Sequence, residues 1–423
     1  MPTKYISSLL QTLTLCCALA LTVPDSAAVA QESTTGDLLE TVIVTASRVP
    51  SAGQVLPTAW SALDQTTIER IAPQHSNQVF NRIAGSWVSR GNGQESLISL
   101  RSPVLTGAGS CGSFITAQDG ISMRSPGFCN VNQLFDANLL QAGKVEVLKG
   151  PATVVFGSNA LHGIINVLTR SVSETPNQLR FEAGSRDYYR ASASGAIDSL
   201  ALSAQTTRYG GYQEESGYQQ RKATVRLDQD WQDWRVSGVI EGSDLDQETA
   251  GYIRGFEAYK DDSAREENPN PEAYRDAWSA RGYLSFSREM GTGGELLLRP
   301  YWRSNEMTFL QHYLPWQATE TNRHRSVGIQ AMVSGLTPRL RWLAGVDIDH
   351  TKGSLFEDQA EFFSPNQPDG VHYDYDVQAE TLAGFTQLNW ALSDRWQISG
   401  GLRLEETRYD YRNLTDPGPA CAP

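Results

Sequence analysis

The sequence predicts an α+β domain followed by the antiparallel strands of a transmembrane β-barrel. Three observations predict this fold class: an export signal at the amino terminus, mixed helix and strand patterns over residues 55–171, and long alternating segments joined by unequal links over residues 172–423. A change from a mixed pattern to uninterrupted alternation indicates two units of different architecture.

The first thirty residues have the features of a signal peptide. Lys4 is followed by the uncharged run "YISSLLQTLTLCCALALTV", and the small-residue pattern "AVA" stands directly before Gln31. An uncleaved membrane anchor is the alternative, but Ser, Thr and Gln dilute the run and it ends in a cleavage pattern. We therefore expect cleavage of residues 1–30, leaving residues 31–54 as a periplasmic leader.

The composition argues against several functional classes. The chain has 35 basic and 48 acidic residues, a formal net charge of −13, so nucleic-acid binding is disfavoured. Its mean hydropathy of −0.38 argues against helical membrane spans. The six histidines are scattered without a metal-spaced pair, and no G-x-S-x-G motif occurs. We expect no enzymatic activity, no cofactor and no metal site.

Residues 55–171 read as one compact α+β domain. The segments "DQTTIERI" and "HSNQVFNRIAG" have the pattern of short capped helices. The segments "LISLR", "SFITAQDG", "KVEVLKG" and "IINVLTR" have the pattern of short strands.

Residues 172–423 alternate between apolar and polar side chains over long segments. In "RWQISGGLRLEE", Trp396, Ile398 and Leu402 share one face, and Gln397 and Arg403 share the other. A soluble β-sandwich also alternates, but its strands are shorter than the roughly ten to fourteen residues seen here, which suit a tilted bilayer crossing.

The links between these strands are alternately short and long. The short ones are "DSL", "WQDW", "GTGG", "GLTP" and "LSDR", whereas the long ones include residues 242–275, 305–322 and 353–376. Short periplasmic turns and long extracellular loops are typical of an outer-membrane barrel. Eleven strands are predicted in this way.

The leader contains the β-prone segment "ETVIVTASR", Glu40 to Arg48. Consecutive β-branched residues allow an extended segment to add itself to the exposed sheet edge of a partner. A disordered leader is the alternative, but such leaders are poor in β-branched residues.

The segment "KVEVLKGPATVVFGSNALHGIINVLTR" resembles the end of the plug domain of the TonB-dependent outer-membrane receptors, V-E-V-x-R-G-P…(F/Y)-G-x-x-A-x-G-G-x-I-N-(I/V). A long gapless match is far stronger than a lone glycine motif. The resemblance covers essentially the whole chain. The signature positions are Glu146, Lys149, Gly150, Pro151, Gly157, Ser158, Gly163 and Asn166.

The resemblance implies a function and partners. Residues 40–48 would be a TonB box that binds TonB, which is driven by inner-membrane motor proteins. The cargo would be a scarce, bulky small molecule, foremost an iron–siderophore complex, with cobalamin or another non-iron nutrient as the alternative. The receptor would be a monomer surrounded by outer-membrane lipid in a Gram-negative cell. A passive porin or adhesin would need neither plug nor box. The residues expected to bind TonB are Glu40, Thr41, Val42, Ile43, Val44, Thr45 and Ala46.

The resemblance also implies roles within the plug. Arg101 and Lys149 stand where the family's plug contacts barrel carboxylates, although Lys cannot form the bidentate pair that Arg forms. The cargo would contact the loops "RSPVLTGAGSCGS" and "MRSPGFCNVNQL", in which an oxidising compartment allows Cys111 and Cys129 to pair. The cargo-binding candidates are Ser102, Ser110, Arg124, Phe128 and Asn130.

The strand count departs from the family's pattern. Receptors of this kind close with about twenty-two strands, whereas eleven are predicted here. An odd, open set would leave strand edges unpaired in lipid. We therefore expect an incomplete barrel, either a fragment of a longer receptor or a non-functional truncated product.

Overall fold

The computed structural model describes residues 43–44, 48, 51–52, 58–106, 111–129, 132, 136–291, 293–393 and 395–415. In these residues no helix is both long enough and apolar enough to span a membrane. The described residues form a plug domain, residues 58–169, and a large antiparallel sheet, residues 178–413, with the short strands β1 (Ile43–Val44) and β2 (Ser51–Ala52) ahead of them.

The plug domain has a five-stranded mixed sheet with the order β3, β8, β9, β6, β7, in which only the pairing of β6 with β9 is parallel. Strands β4 and β5 form a separate antiparallel pair. The strands are β3 (Ala59–Asp64), β4 (Ser86–Arg90), β5 (Ser96–Leu100), β6 (Ile115–Gln118), β7 (Ile121–Ser122), β8 (Ala142–Lys149) and β9 (Gly163–Thr169). The helices are α1 (Gln65–Ile71), α2 (Asn77–Phe80), α3 (Thr153–Phe156) and the 3₁₀ helix Leu139–Gln141.

Helix α1 has both of its ends capped. The Asp64 carboxylate accepts a hydrogen bond from the Thr67 backbone N–H at 2.7 Å, and Ala72 ends the helix in the left-handed conformation. Helix α2 has only four residues, far fewer than the eleven of the segment that predicted it. Ile68 of α1 and Phe80 of α2 are fully buried in the core beneath the sheet.

The large sheet contains eleven strands, β10 to β20, each paired antiparallel with the next along the chain. The predicted number of strands is confirmed. A further 3₁₀ helix, Ala258–Lys260, lies in the longest connection. The strands are β10 (Gln178–Gly184), β11 (Tyr188–Ile197), β12 (Leu200–Tyr209), β13 (Tyr218–Trp231), β14 (Trp234–Gln247), β15 (Arg275–Met290), β16 (Gly294–Leu310), β17 (Thr319–Leu336), β18 (Leu340–Gln359), β19 (Gly370–Ser393) and β20 (Trp396–Asn413).

The predicted strand lengths are confirmed for β11 to β14, which have 10 to 14 residues, and are wrong for the others, because the strands range from 7 residues in β10 to 24 in β19. Parts of the predicted long loops are paired strand, so the connections shrink to residues 248–274, 311–318 and 360–369. Beyond the lipid both faces of a strand can be polar. Alternation of hydrophobicity therefore stops before the hydrogen-bonded ladder does.

The two faces of the sheet differ as a barrel wall requires. Val327 and Leu382 point outward and are 59% and 56% exposed, while the charged Glu241 and Arg303 point inward and are buried against the plug. Tyr409 and Tyr411, near the end of β20, also face inward. The Tyr409 ring lies against Gly127 of the plug, and the Tyr411 ring lies 5.2 Å from that of Tyr375.

Candidate functional site

The signature glycines occupy backbone positions that exclude side chains. Gly163 has φ +133°, and a Cβ there would collide with the carbonyl oxygen of Leu148 on the neighbouring strand. Gly157 has φ +93°, and a Cβ there would lie 2.8 Å from Glu405 Oε2 of β20. Gly150 also has a positive φ and directly precedes the exposed Pro151.

The polar signature residues divide between the plug interior and the barrel wall. Asn166 is 1% exposed, and its Oδ1 accepts a hydrogen bond from the Gly120 N–H at 2.9 Å, which ties β9 to the turn before β7. Glu146 is fully buried and lies 3.4 Å from Lys144 Nζ. The Ser158 hydroxyl donates to Glu405 Oε1 at 3.1 Å and so contacts the barrel.

Arg101 and Lys149 are brought together by the fold, but their hydrogen bonds remain inside the plug. Arg101 Nη1 donates to the Lys149 carbonyl oxygen at 2.8 Å, and Lys149 Nζ donates to Ser61 Oγ at 2.7 Å. Burial, followed by the nearby Arg101, lowers the pKa of Lys149. The expected contact with barrel carboxylates is not among the interactions of the described residues, because both side chains lie over β3 and β8.

Cationic side chains of the barrel instead donate hydrogen bonds to the plug. Arg281 Nε donates to Gln118 Oε1 at 2.8 Å, and its Nη2 donates to Glu241 Oε1 at 2.7 Å and to the Asp136 carbonyl oxygen at 3.0 Å. Glu241, 2% exposed, also accepts from Gln118 Nε2 at 2.5 Å. One buried ion pair of the barrel thus holds two segments of the plug.

Arg303 is a second barrel cation that binds the plug, at the segment that contains Ser122 and Ser125. Its guanidinium donates to the Ser122 carbonyl oxygen and to Asp349 Oδ2, each at 2.5 Å, and to Ser125 Oγ at 3.0 Å. Ser125 Oγ lies 2.8 Å from His324 Nδ1. Other barrel cations donate to plug carbonyl oxygens in the same way: Arg190 to Pro73 at 2.7 Å, Lys222 to Ala137 at 2.7 Å and Arg299 to Asp119 at 2.6 Å.

Two buried groups of the plug have shifted pKa values. Burial lowers the pKa of His75 to about 4, so the imidazole is neutral at physiological pH and bonds to the Glu95 carbonyl oxygen at 2.9 Å. Burial raises the pKa of Asp136 to about 6, although Arg281 and Lys222 oppose that shift. His75 therefore stabilises the plug as a neutral hydrogen-bonding group.

The cargo candidates lie in different surroundings. Phe128 is half-buried, with its ring over Gly353 of β18 and 5.9 Å from the His324 ring. Arg124 is only 8% exposed and points into the interface with the barrel, where burial lowers its pKa. The Ser102 hydroxyl accepts from the Leu100 N–H at 3.3 Å. Ser110 and Asn130 lie outside the described residues.

Cys111 and Cys129 form a disulfide, with their Cα atoms 6.2 Å apart, so the two loops that contain them are joined. We expect mass spectrometry of non-reduced peptides from the exported protein to find this linkage, because an oxidising compartment preserves it. Two free thiols after export would contradict the expectation.

The two short strands of the leader pair with each other. Ile43 and Val44 pair antiparallel with Ala52 and Ser51, so two residues of the expected TonB box already have a partner strand along one edge. The sequence suggested a wholly unpaired segment. The other expected TonB-binding residues, Glu40, Thr41, Val42, Thr45 and Ala46, lie outside the described residues.

Arg48 is a contact that the sequence did not predict. Its Nη1 lies 2.6 Å from Asp347 Oδ1 of β18, and its guanidinium lies 4.9 Å from the Phe156 ring of the plug and 5.2 Å from the Phe385 ring of β19. Arg403 Nη1 binds the other Asp347 oxygen at 3.0 Å. The end of the segment expected to be the TonB box is thereby attached to the barrel wall. Among the described residues there is no group of acidic, His or Cys side chains that could hold a metal.

The comparisons with known proteins agree with this architecture. Residues 53–164 match the family model of the TonB-dependent receptor plug domain. The rhizobactin receptor of Rhizobium meliloti (strain 1021) is 25% identical over 345 residues, which are 68% of this chain and 45% of that protein. The chain therefore spans less than half the length of this relative.

Two solved structures have the same fold. The ferric yersiniabactin uptake receptor of Yersinia pestis matches with a TM-score of 0.67 and 20% identity, over 85% of this chain and 59% of the other. The ferric-catecholate import receptor of E. coli K12 matches with a TM-score of 0.65 and 13% identity, over 87% and 62%.

A plug domain seated against a long antiparallel sheet is the fold of the outer-membrane receptors that this chain matches. Residues 53–164 are a plug domain of the kind found in TonB-dependent receptors. Proteins of this family and fold are transporters rather than enzymes.

Proposed function

We propose that this protein takes up an iron–siderophore complex across the outer membrane by TonB-dependent transport. The observation that carries the proposal is the polar interface between plug and barrel. Barrel arginines and lysines donate to carbonyl oxygens of the plug, as Arg299 does to Asp119 and Lys222 to Ala137.

Such an interface suits a plug that must move. A typical hydrogen bond contributes only about 1 kcal/mol net, since water replaces a lost partner once the groups are exposed. An apolar interface of the same size would resist separation more strongly, because parting it would expose hydrophobic area to water.

The leader supports a pulling mechanism. Among the described residues, Ile43–Val44 is paired along one edge, so a strand of TonB can add along the other edge. Tension on the box would act on Arg48, whose ion pair with Asp347 joins the leader to the barrel among the described residues. The plug would follow only after this link breaks.

An iron cargo is supported by the similar proteins, which include a rhizobactin receptor and receptors for ferric yersiniabactin and ferric catecholates. Tyr409 lies against Gly127 at the inner wall, and the rings of Tyr375 and Tyr411 lie 5.2 Å apart on the same wall. Aromatic surfaces of this kind suit a bulky chelate. Cobalamin or another non-iron nutrient is the second candidate for the same surfaces.

The test is uptake by iron-starved cells that express this protein as their sole receptor of the kind. Radiolabelled iron would be supplied as hydroxamate, catecholate or carboxylate chelates, and labelled cobalamin would be supplied in parallel. We expect uptake of at least one iron chelate, abolished when a protonophore collapses the inner-membrane gradient. Uptake of cobalamin alone would favour the second candidate, and uptake of neither would refute the proposal of a nutrient receptor for these cargoes.

A further inference from the structure

Two cations face each other on the outer surface of the sheet. Arg325 of β17 is directly opposite Lys352 of β18, and both side chains are exposed. Their neighbours Ser326 and Thr351 point the other way, because the two hydroxyl oxygens lie 2.8 Å apart and are buried. Since side chains alternate along a strand, Arg325 and Lys352 point away from the plug.

The outward-facing side chains in the middle of the sheet form a band of apolar residues, here called the apolar belt. Arg325 and Lys352 lie just beyond it, on the side of the long loops. The next outward-facing row towards the short turns contains Trp302, Val327, His350 and Glu380. The row below that contains Pro300, Ile329, Ile348 and Leu382, none of which is charged. Two residues along a strand cover roughly 7 Å, so the cations lie at the depth of lipid headgroups, with a Trp beside them as is common at a membrane surface.

Cations directly opposite each other destabilise a sheet unless an anion joins them. Among the described residues, no carboxylate forms an ion pair with Arg325 or Lys352. The nearby carboxylates have other partners: Glu306 lies 3.8 Å from Arg323, and Glu380 lies 3.3 Å from His350. On its other side Lys352 faces the neutral Gln378.

We propose that Arg325 and Lys352 together bind a phosphate of an anionic lipid in the outer leaflet. A guanidinium can make two parallel hydrogen bonds to a phosphate, and the lysine adds a mobile point charge. The acyl chains of the same lipid would lie against Val327 and Ile348, which are 59% and 45% exposed. A protein of net charge −13 repels anionic lipids overall. The local cationic pair therefore makes this position on the barrel wall a preferred place for such a lipid to bind.

The discriminating variant is Lys352→Glu. It places a carboxylate opposite Arg325, so the sheet should fold at least as well as before while the site for phosphate is lost. Receptor purified from outer membranes in a mild detergent would be analysed by native mass spectrometry for bound phosphorylated lipid A. We expect about a tenfold lower occupancy in the variant, the effect of losing one charge-assisted contact and gaining a repulsive charge.

Two further variants serve as controls. Lys352→Arg keeps the charge and should keep the lipid. Arg221→Gln removes another outward-facing cation, which already lies 3.7 Å from Asp244, and should leave the occupancy unchanged. Equal occupancy in Lys352→Glu and the unaltered receptor would overturn the proposal.

Adding lipids back distinguishes a lipid site from a phosphate site. Phosphorylated lipid A should bind to delipidated receptor, whereas dephosphorylated lipid A and inorganic phosphate should not compete with it at equal concentration. Competition by inorganic phosphate alone would show that the pair recognises a free anion, and it would contradict the assignment to a lipid. The readout is independent of cargo uptake, so it does not depend on the proposed transport function.

Discussion

A Val44→Pro variant is expected to lose energised uptake completely while keeping its affinity for cargo. Proline lacks the backbone N–H that a β-ladder needs, so strand addition by TonB at this position fails. Uptake of labelled cargo by energised cells and equilibrium binding to purified receptor measure the two properties separately. The loops proposed to bind cargo are remote in sequence from residue 44, so binding should remain.

The structure supplies a matched control for this variant. Val44 pairs with Ser51, so Ser51→Pro disturbs the same two-stranded pairing from the partner strand and leaves the box itself unchanged. We expect Ser51→Pro to take up cargo normally. If both variants lost uptake, the hairpin rather than the box would be the required element, and unchanged uptake in Val44→Pro would refute TonB binding at residues 40–48.

The part of the fold that faces lipid could be predicted from the sequence. Outward positions such as Val346 and Ile348 alternate with the inward Asp347 and Asp349, and this alternation repeats often enough to count eleven strands correctly. The strand ends could not be predicted, because residues such as Glu320 lie on a paired strand beyond the apolar belt. Backbone pairing continues there without any pattern of hydrophobicity.

Most contacts of the candidate site could not be predicted from the sequence. The signature glycines were found through the resemblance to the plug motif, and the structure explains them, because a Cβ at Gly163 would collide with a neighbouring strand. Arg281 and Arg303 were not found, since a backbone carbonyl acceptor leaves no mark in a sequence. Arg48 and Asp347 are 299 positions apart, and no local pattern could pair them.

Removal of the Arg281 guanidinium is expected to loosen the plug more than loss of a surface cation on the same strand. Glu241 is 2% exposed and would lose the guanidinium that forms its ion pair, and removing one partner of a buried pair costs about 3 to 5 kcal/mol. The matched control on β15 is Arg288→Met, because Arg288 pairs with Asp233 on the exposed surface, where a pair contributes about 1 kcal/mol or less.

Hydrogen–deuterium exchange at β6 of the plug measures the effect of Arg281→Met, since Gln118 of that strand binds both Arg281 and Glu241. Exchange at β6 should accelerate in Arg281→Met and stay unchanged in Arg288→Met. Adding Glu241→Gln to Arg281→Met removes the unpaired charge and should restore much of the protection, because an amide is far less costly to bury than a carboxylate. If Arg281→Met exchanged like Arg288→Met, the buried ion pair would not be what holds β6 to the barrel, and the remaining donors to plug carbonyl oxygens would have to hold it.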